Sequence, residues 1–207
     1  MPFVHIVELI AAIIATRNFK KYRYSNERYF LFFLWFTVLI DGTNAIMNSV
    51  FNIEISWLHE VFTVTSFLFY FYWYYTIFRN GFFKKTALFF ATIFGCLTIA
   101  AKVFPNEMAG KGYAFISGAI GILVMTFFHF YQLLKSNEVL IIKHKLSFWI
   151  STGLLLFYIG IIPLILLASY LDIGGSNYKT ILLSLNVVLY GCYIIGFLWT
   201  KKEYNRF

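Results

Sequence analysis

Seven apolar segments fill most of this chain, and charged residues stand almost only between them. The hydrocarbon core of a bilayer is about 30 Å thick, which a helix of about 20 apolar residues can cross. Because the segments are continuously apolar and do not alternate with polar residues, they predict transmembrane helices and not the strands of a barrel. The segments extend from Phe3 to Thr16, Tyr29 to Ile53, Trp57 to Phe78, Thr86 to Phe104, Tyr113 to Leu134, Leu146 to Leu171 and Thr180 to Trp199.

The distribution of Lys and Arg predicts how these segments are oriented. Only Lys102, Lys111 and Lys179 follow even-numbered segments, and the other 14 of the 17 basic residues follow odd-numbered ones. Short loops rich in Lys and Arg remain in the cytoplasm. We therefore predict an all-α, multi-pass bundle of seven helices in the cell inner membrane, a single transmembrane domain over residues 1–207, with the N-terminus outside and the C-terminus in the cytoplasm. A bundle of six, with the first segment lying on the membrane surface, remains an alternative.

Polar residues inside the apolar segments are the candidates for a functional site. Asp41 lies in the middle of the second segment, and Asn44 and Asn48 follow it on the same helical face. An ionisable side chain in hydrocarbon costs at least about 2.5–3.5 kcal/mol, so it usually faces the bundle interior or water. The second segment therefore predicts a polar stripe that begins at mid-membrane and extends towards the outer surface.

Other polar residues are predicted to lie at the same depth as this stripe. They come from the first segment (His5, Glu8), the third (His59, Glu60) and the seventh (Asn186). We predict one acidic cavity open to the outside, which suits a small cation or amine. In the alternative interpretation the two Glu side chains lie in hydrated headgroup regions and Asp41 only holds helices together. The candidate ligand-binding residues are Asp41, Asn44, Asn48, Glu60, Glu8, Asn186 and His59.

Several known chemistries are excluded by residues that the chain lacks. The last segment has no lysine for a retinal Schiff base, and no histidine follows His144 to form the late HxxxH pair of seven-helix zinc hydrolases. Phosphate-binding, HExxH and GxSxG motifs are also missing. We expect no cofactor and no metal, because the ligand types that could form a zinc site have unspecific spacing. Those residues are His5, Glu8, His59 and Glu60.

Three stretches resemble a group of small polytopic membrane proteins of Bacteroidota. They are LHEVFTVTSFLFYFYWYY (58–75), FYQLLKSNEVL (130–140) and FWISTGLLLFYIG (148–160). The first is similar to the third helix of that group. The group has no settled activity, so the resemblance implies a seven-helix fold and no particular chemistry.

The short connections between segments leave no room for an effector domain. The leading hypothesis is therefore a non-enzymatic sensory or accessory component that acts with a separate soluble protein in the cytoplasm, in a signalling or defence system. The basic loops could bind this partner or anionic lipid. The alternatives are a transporter or channel for a proton, cation or small amine, and an intramembrane lipid hydrolase using Asp41 and Glu60.

Two further expectations concern packing and partners. Ala91 with Gly95 and Ala114 with Gly118 are small residues at four-residue spacing, which permits close helix packing inside the bundle or in a homo-oligomer. His129 is expected at the membrane interface. The net charge of +8 belongs to loops that flank the bilayer, so no nucleic acid partner is expected.

Overall fold

The computed structural model describes residues 2–51, 56–104, 108–136, 139–168 and 175–204, and within these ranges all regular structure is helical. The predicted segment ends Ile53 and Leu171 lie outside the described residues, as does Arg206. The prediction of an all-α bundle with seven helices is confirmed. The helices are α1 (Pro2–Arg17), α2 (Arg28–Phe51), α3 (Ser56–Ile77), α4 (Gly81–Val103), α5 (Met108–Leu134), α6 (Leu146–Ala168) and α7 (Gly175–Trp199), with short 3₁₀ turns at Phe19–Lys21, Val139–His144 and Lys202–Tyr204.

Hydrogen bonds between helix ends establish the topology. They join the end of α1 to the end of α7, the start of α2 to the end of α3, the end of α3 to the end of α5, and the start of α6 to the end of α7. Helices that follow one another in the chain therefore run antiparallel, whereas α1 and α7, and likewise α3 and α5, run parallel. The bonds are Lys21 Nζ to the Leu198 carbonyl (3.2 Å), Asn26 Nδ2 to the Thr76 carbonyl (3.2 Å), Arg79 N to Gln132 Oε1 (3.0 Å) and Lys201 N to the His144 carbonyl (3.3 Å).

One end of the bundle thus carries the ends of α1, α3, α5 and α7 and the starts of α2, α4 and α6. We call it the basic end, because the Lys- and Arg-rich connections lie there, and we call the opposite end the far end. Each helix contacts the next along the chain, and α1 contacts α7, so the seven helices close into a ring. The start of α1 and the end of α7 lie at opposite ends, as an odd number of antiparallel helices requires.

Over the part of the chain that the structure describes, five of the helices are long and apolar enough to cross a membrane, which makes the chain a multi-pass membrane protein. They are α2, α4, α5, α6 and α7. Helix α1 is short, with 16 residues, and α3 contains several Tyr and Trp residues together with His59 and Glu60. Large apolar side chains such as Phe32, Leu39 and Ile99 are about two-thirds exposed on the surface of the bundle, where lipid would contact them.

Aromatic side chains dominate the core, and α3 supplies many of them. Phe67, Phe71, Trp73 and Tyr74 are at most 2% exposed. Helix α5 approaches α3 closely at its glycines: a Cβ on Gly118 would lie 2.8 Å from the ring of Phe67. Gly118 therefore serves packing inside the bundle.

Candidate functional site

His5, Glu8 and Asp41 form a cluster between α1 and α2. One ligand atom from each lies within 4.8 Å of the other two, and His5 Nδ1 is 3.7 Å from Glu8 Oε2. His5 and Glu8 are three residues apart, so they project from the same face of α1, and Asp41 comes from α2. We call these three residues the carboxylate cluster.

Glu8 is the most deeply buried member of the carboxylate cluster. Its side chain is 3% exposed, and its Oε2 atom has no hydrogen-bond partner among the described residues. His5 Nδ1 is also buried and lacks a partner there. The Tyr190 hydroxyl of α7 lies within reach of the Glu8 carboxyl group, as does the side chain of Asp41. Buried polar groups normally have partners, so these two atoms identify a place where a ligand could supply them.

The predicted polar stripe on α2 only partly faces the bundle. Asn44 is half-buried, and its side-chain nitrogen has no hydrogen-bond partner among the described residues. Asn48, one turn further along, is exposed. Of the stripe, Asp41 and Asn44 are therefore available to an internal site, and Asn48 lies on the outer surface.

His59 and Glu60 lie in a separate pocket of about 240 Å³ between α3, α4 and α5. Lys102 of α4 lines the same pocket, so Glu60 has a basic residue in its surroundings. The structure therefore does not bring Glu60 together with Asp41.

Asn186 lines a third cavity, of about 130 Å³, in the bundle interior. Its side chain donates a hydrogen bond to the Leu182 carbonyl within α7 (2.8 Å). Tyr190 lines this cavity and also meets Glu8, and Thr63 lines both this cavity and the Glu60 pocket. In place of one chamber, Glu8 and Asp41, the pair His59 and Glu60, and Asn186 lie in three separate compartments, and Asn48 is exposed on the bundle surface. Their role in ligand binding stays a prediction.

Buried hydroxyl groups connect α3, α5, α6 and α7, and sequence analysis missed most of them. The Tyr74 hydroxyl lies 2.7 Å from Thr126 Oγ1 and donates to Ser151 Oγ (3.1 Å), and all three side chains are fully buried. The Tyr70 and Tyr193 hydroxyls are 3.4 Å apart. Ser and Thr can satisfy their hydroxyls within their own helix, as Thr126 does with the Ile122 carbonyl, so they give little signal in an apolar segment.

His129 is also buried in the basic half of the bundle. It is 3% exposed, and its ring nitrogens have no hydrogen-bond partner among the described residues. Helix α5 turns it towards Trp73 and Tyr74 of α3, so it faces the bundle interior and not lipid, and its position at the depth of the membrane interface stays a prediction. A small cavity of about 40 Å³, also lined by Gln132 and Ser147, lies beside it.

The basic end carries a cleft with a volume of about 620 Å³, which we call the basic cleft. At the same end of the bundle, Glu27 is buried, 1% exposed, in the connection between α1 and α2. Burial raises the pKa of its carboxyl group, against the smaller effects of a hydrogen bond from Ser25 and the charge of Lys145. The cleft is lined by Lys21, Lys143, His144, Leu198, Trp199, Thr200, Lys201, Lys202 and Glu203.

Comparison of the chain with profiles of known protein families, with curated proteins and with solved structures found no match. The resemblance to membrane proteins of Bacteroidota therefore stays a prediction.

Proposed function

We propose that this chain is a non-enzymatic sensory membrane protein whose carboxylate cluster binds a small cation. Binding would change the basic end, where a separate soluble protein would detect it. The observation that carries the proposal is the burial of Glu8 beside a second carboxylate, with one oxygen lacking any partner among the described residues. The basic connections orient that end towards the cytoplasm under the positive-inside rule.

Electrostatics favours a cation in this position. Two carboxylates within 4.8 Å repel each other, and burial in a low-dielectric bundle strengthens that repulsion. A bound cation or proton removes this repulsion. The occupied and the empty carboxylate cluster therefore differ in the force between α1 and α2. A ligand shifts a conformational equilibrium only by its different affinity for the two states, and this force supplies such a difference.

Helix α1 offers a direct connection from the carboxylate cluster to the basic cleft. Three of its fully buried side chains, Ala11, Ala12 and Ala15, are small, so a shift of α1 would displace little side-chain volume at these positions. Just after α1, Lys21 donates a hydrogen bond to the Leu198 carbonyl and also lines the cleft. A movement of α1 would therefore change the shape of the cleft.

The test is a fluorescence measurement on protein in lipid nanodiscs. Lys202→Cys, in a Cys96→Ser background, places an environment-sensitive dye at the exposed rim of the cleft. We expect a change of fluorescence with protons or with one of Na⁺, K⁺, methylammonium, Ca²⁺ and Zn²⁺, lost in Asp41→Asn and retained in Glu60→Gln. No response to any of these cations, or equal loss in both variants, would contradict the proposal.

A proton or cation transporter is the second candidate, and the buried hydroxyls favour it. Tyr190 meets Glu8 and packs against Tyr193, with ring centroids 5.7 Å apart, and Tyr193 in turn approaches Tyr70. Each hydroxyl can accept one proton and release another. Flux into liposomes that is abolished by Asp41→Ala would favour transport, and a dye response without flux would favour sensing. A lipid hydrolase is not proposed, because the two carboxylates it requires lie in different compartments.

A further inference from the structure

The geometry of the carboxylate cluster is close to that of a three-ligand metal site. Tetrahedral zinc has bonds of about 2.0–2.2 Å, which place neighbouring ligand atoms about 3.4 Å apart. His5 Nδ1 and Glu8 Oε2 are already 3.7 Å apart. Asp41 contributes an oxygen to a set in which one ligand atom from each of the three residues lies within 4.8 Å of the others. Side-chain rotations that move these atoms by about 1 Å would bring all three to coordination distance from one metal ion.

A second observation identifies two of these atoms as open to a ligand. His5 Nδ1 and Glu8 Oε2 are both buried and both lack hydrogen-bond partners among the described residues, although each is a strong acceptor when unprotonated. Glu8 as a whole is 3% exposed, so its carboxyl group lies inside the bundle and not on its surface. Both orphaned atoms face the same space, since only 3.7 Å separates them.

The charge and type of the ligand atoms select among cations. Two carboxylates carry a charge of −2, which a divalent ion neutralises, whereas a monovalent ion or an amine leaves one negative charge in the bundle. Imidazole suits zinc and neighbouring transition metals, while Ca²⁺ and Mg²⁺ prefer shells made of oxygen atoms. Tyr190, within reach of Glu8, is placed to orient that carboxylate as an outer partner.

We infer that the carboxylate cluster binds a divalent transition metal ion of the zinc class, through His5 Nδ1, one oxygen of Glu8 and one oxygen of Asp41. The inference rests on the proposed function and names the ligand of the same site. Three protein ligands leave one coordination position open, as in zinc sites that accept water or an exchangeable group. The bound metal would link α1 to α2 through its ligands, and loss of the metal would remove this link and allow α1 to move relative to α2.

The experiment measures Zn²⁺ binding to protein in nanodiscs after treatment with a chelator. Competition with a chromophoric chelator gives the affinity, and elemental analysis gives the stoichiometry. We expect one Zn²⁺ per chain, and a loss of affinity of at least about 100-fold in His5→Ala and in Asp41→Asn, because outer-shell changes alone cost about 10–100-fold. The matched control is His59→Ala, which removes a histidine from the neighbouring pocket and should leave the affinity unchanged.

Folding of the variants does not limit this test. The His5 side chain is 34% exposed, so truncation there leaves a small internal change, and Asp41→Glu keeps a carboxylate if Asp41→Asn fails to fold. Zinc binding that is equal in wild type, His5→Ala and His59→Ala would overturn the metal site. If zinc is not bound but protons or Na⁺ still change the fluorescence of the dye at Lys202→Cys, the metal inference fails and the sensory proposal stands. Absence of both responses contradicts both.

Discussion

Replacing Gly196 by alanine tests the contact that holds the end of α7 against the start of α6. A Cβ at this position would lie 2.6 Å from the Cβ of Trp149 and 3.1 Å from Cδ1 of Leu146. Carbon atoms pack at about 3.5–4.0 Å, and the Trp149 Cβ is fixed to its backbone, so the two helices must separate by about 1 Å. Overpacking of this kind costs about 1–3 kcal/mol.

A second effect of Gly196→Ala acts in the opposite direction. Alanine loses less backbone freedom than glycine when a helix forms, which favours the folded state by about 0.5–1 kcal/mol. The net expectation is a decrease of about 1–2 kcal/mol in the free energy of unfolding. Gly191 is the control on the same helix, because nothing lies within 4 Å of a Cβ added there. Gly191→Ala should therefore be stabilising.

The assay is reversible unfolding of both variants in mixed detergent micelles, followed by circular dichroism. The sign of the difference between the variants is the quantity to compare, because detergent changes absolute stabilities. If Gly196→Ala is as stable as Gly191→Ala, the close approach of α6 to α7 at Trp149 is not present in the folded protein.

Two other substitutions test buried polar groups. Tyr74→Phe removes a hydroxyl that contacts Thr126 and Ser151. Interhelical hydrogen bonds average about 0.6 kcal/mol each, so the free energy of unfolding should fall by about 1 kcal/mol in the same assay. An unchanged free energy of unfolding would contradict these contacts. Burial raises the pKa of Glu27 above its ordinary value of 4.5. Above pH 4.5 the folded state therefore keeps a proton that the unfolded state releases. The free energy of unfolding should fall as the pH rises from 4.5 through the raised pKa. Melting temperatures between pH 4 and 9 should lose this slope in Glu27→Gln and keep it in Glu203→Gln, where the side chain is exposed.

Helix boundaries show where hydrophobicity alone was insufficient. The fourth apolar segment was predicted to begin at Thr86, but α4 begins at Gly81 and includes Lys84. The start of α4 is fixed by the Asn80 side chain, which accepts a hydrogen bond from the Phe82 N–H. The length of an apolar segment indicates only which part of a helix can contact lipid. The start of the helix itself depends on the capping residue, where the backbone hydrogen bonds begin.

The polar residues show a similar division. The sequence identified which segments carry polar residues, and because burying a charge in hydrocarbon is costly, it predicted that such residues face the bundle interior or water. Which polar side chains contact each other could not be predicted from the sequence. Glu8 and Asp41 meet because α1 packs on α2, whereas Glu60 lies with Lys102 because that face of α3 is turned towards α4 and α5.

The sequence by itself determined that this chain is a multi-pass helical protein with its basic connections gathered at one end. The 3.6-residue period also determined which residues share a helical face. The tertiary structure decided which faces meet, because the rotation of each helix about its axis depends on side-chain packing with neighbours that are distant in sequence. The burial of Glu8, its contact with Asp41 and the enclosed Tyr74 hydroxyl are products of that packing.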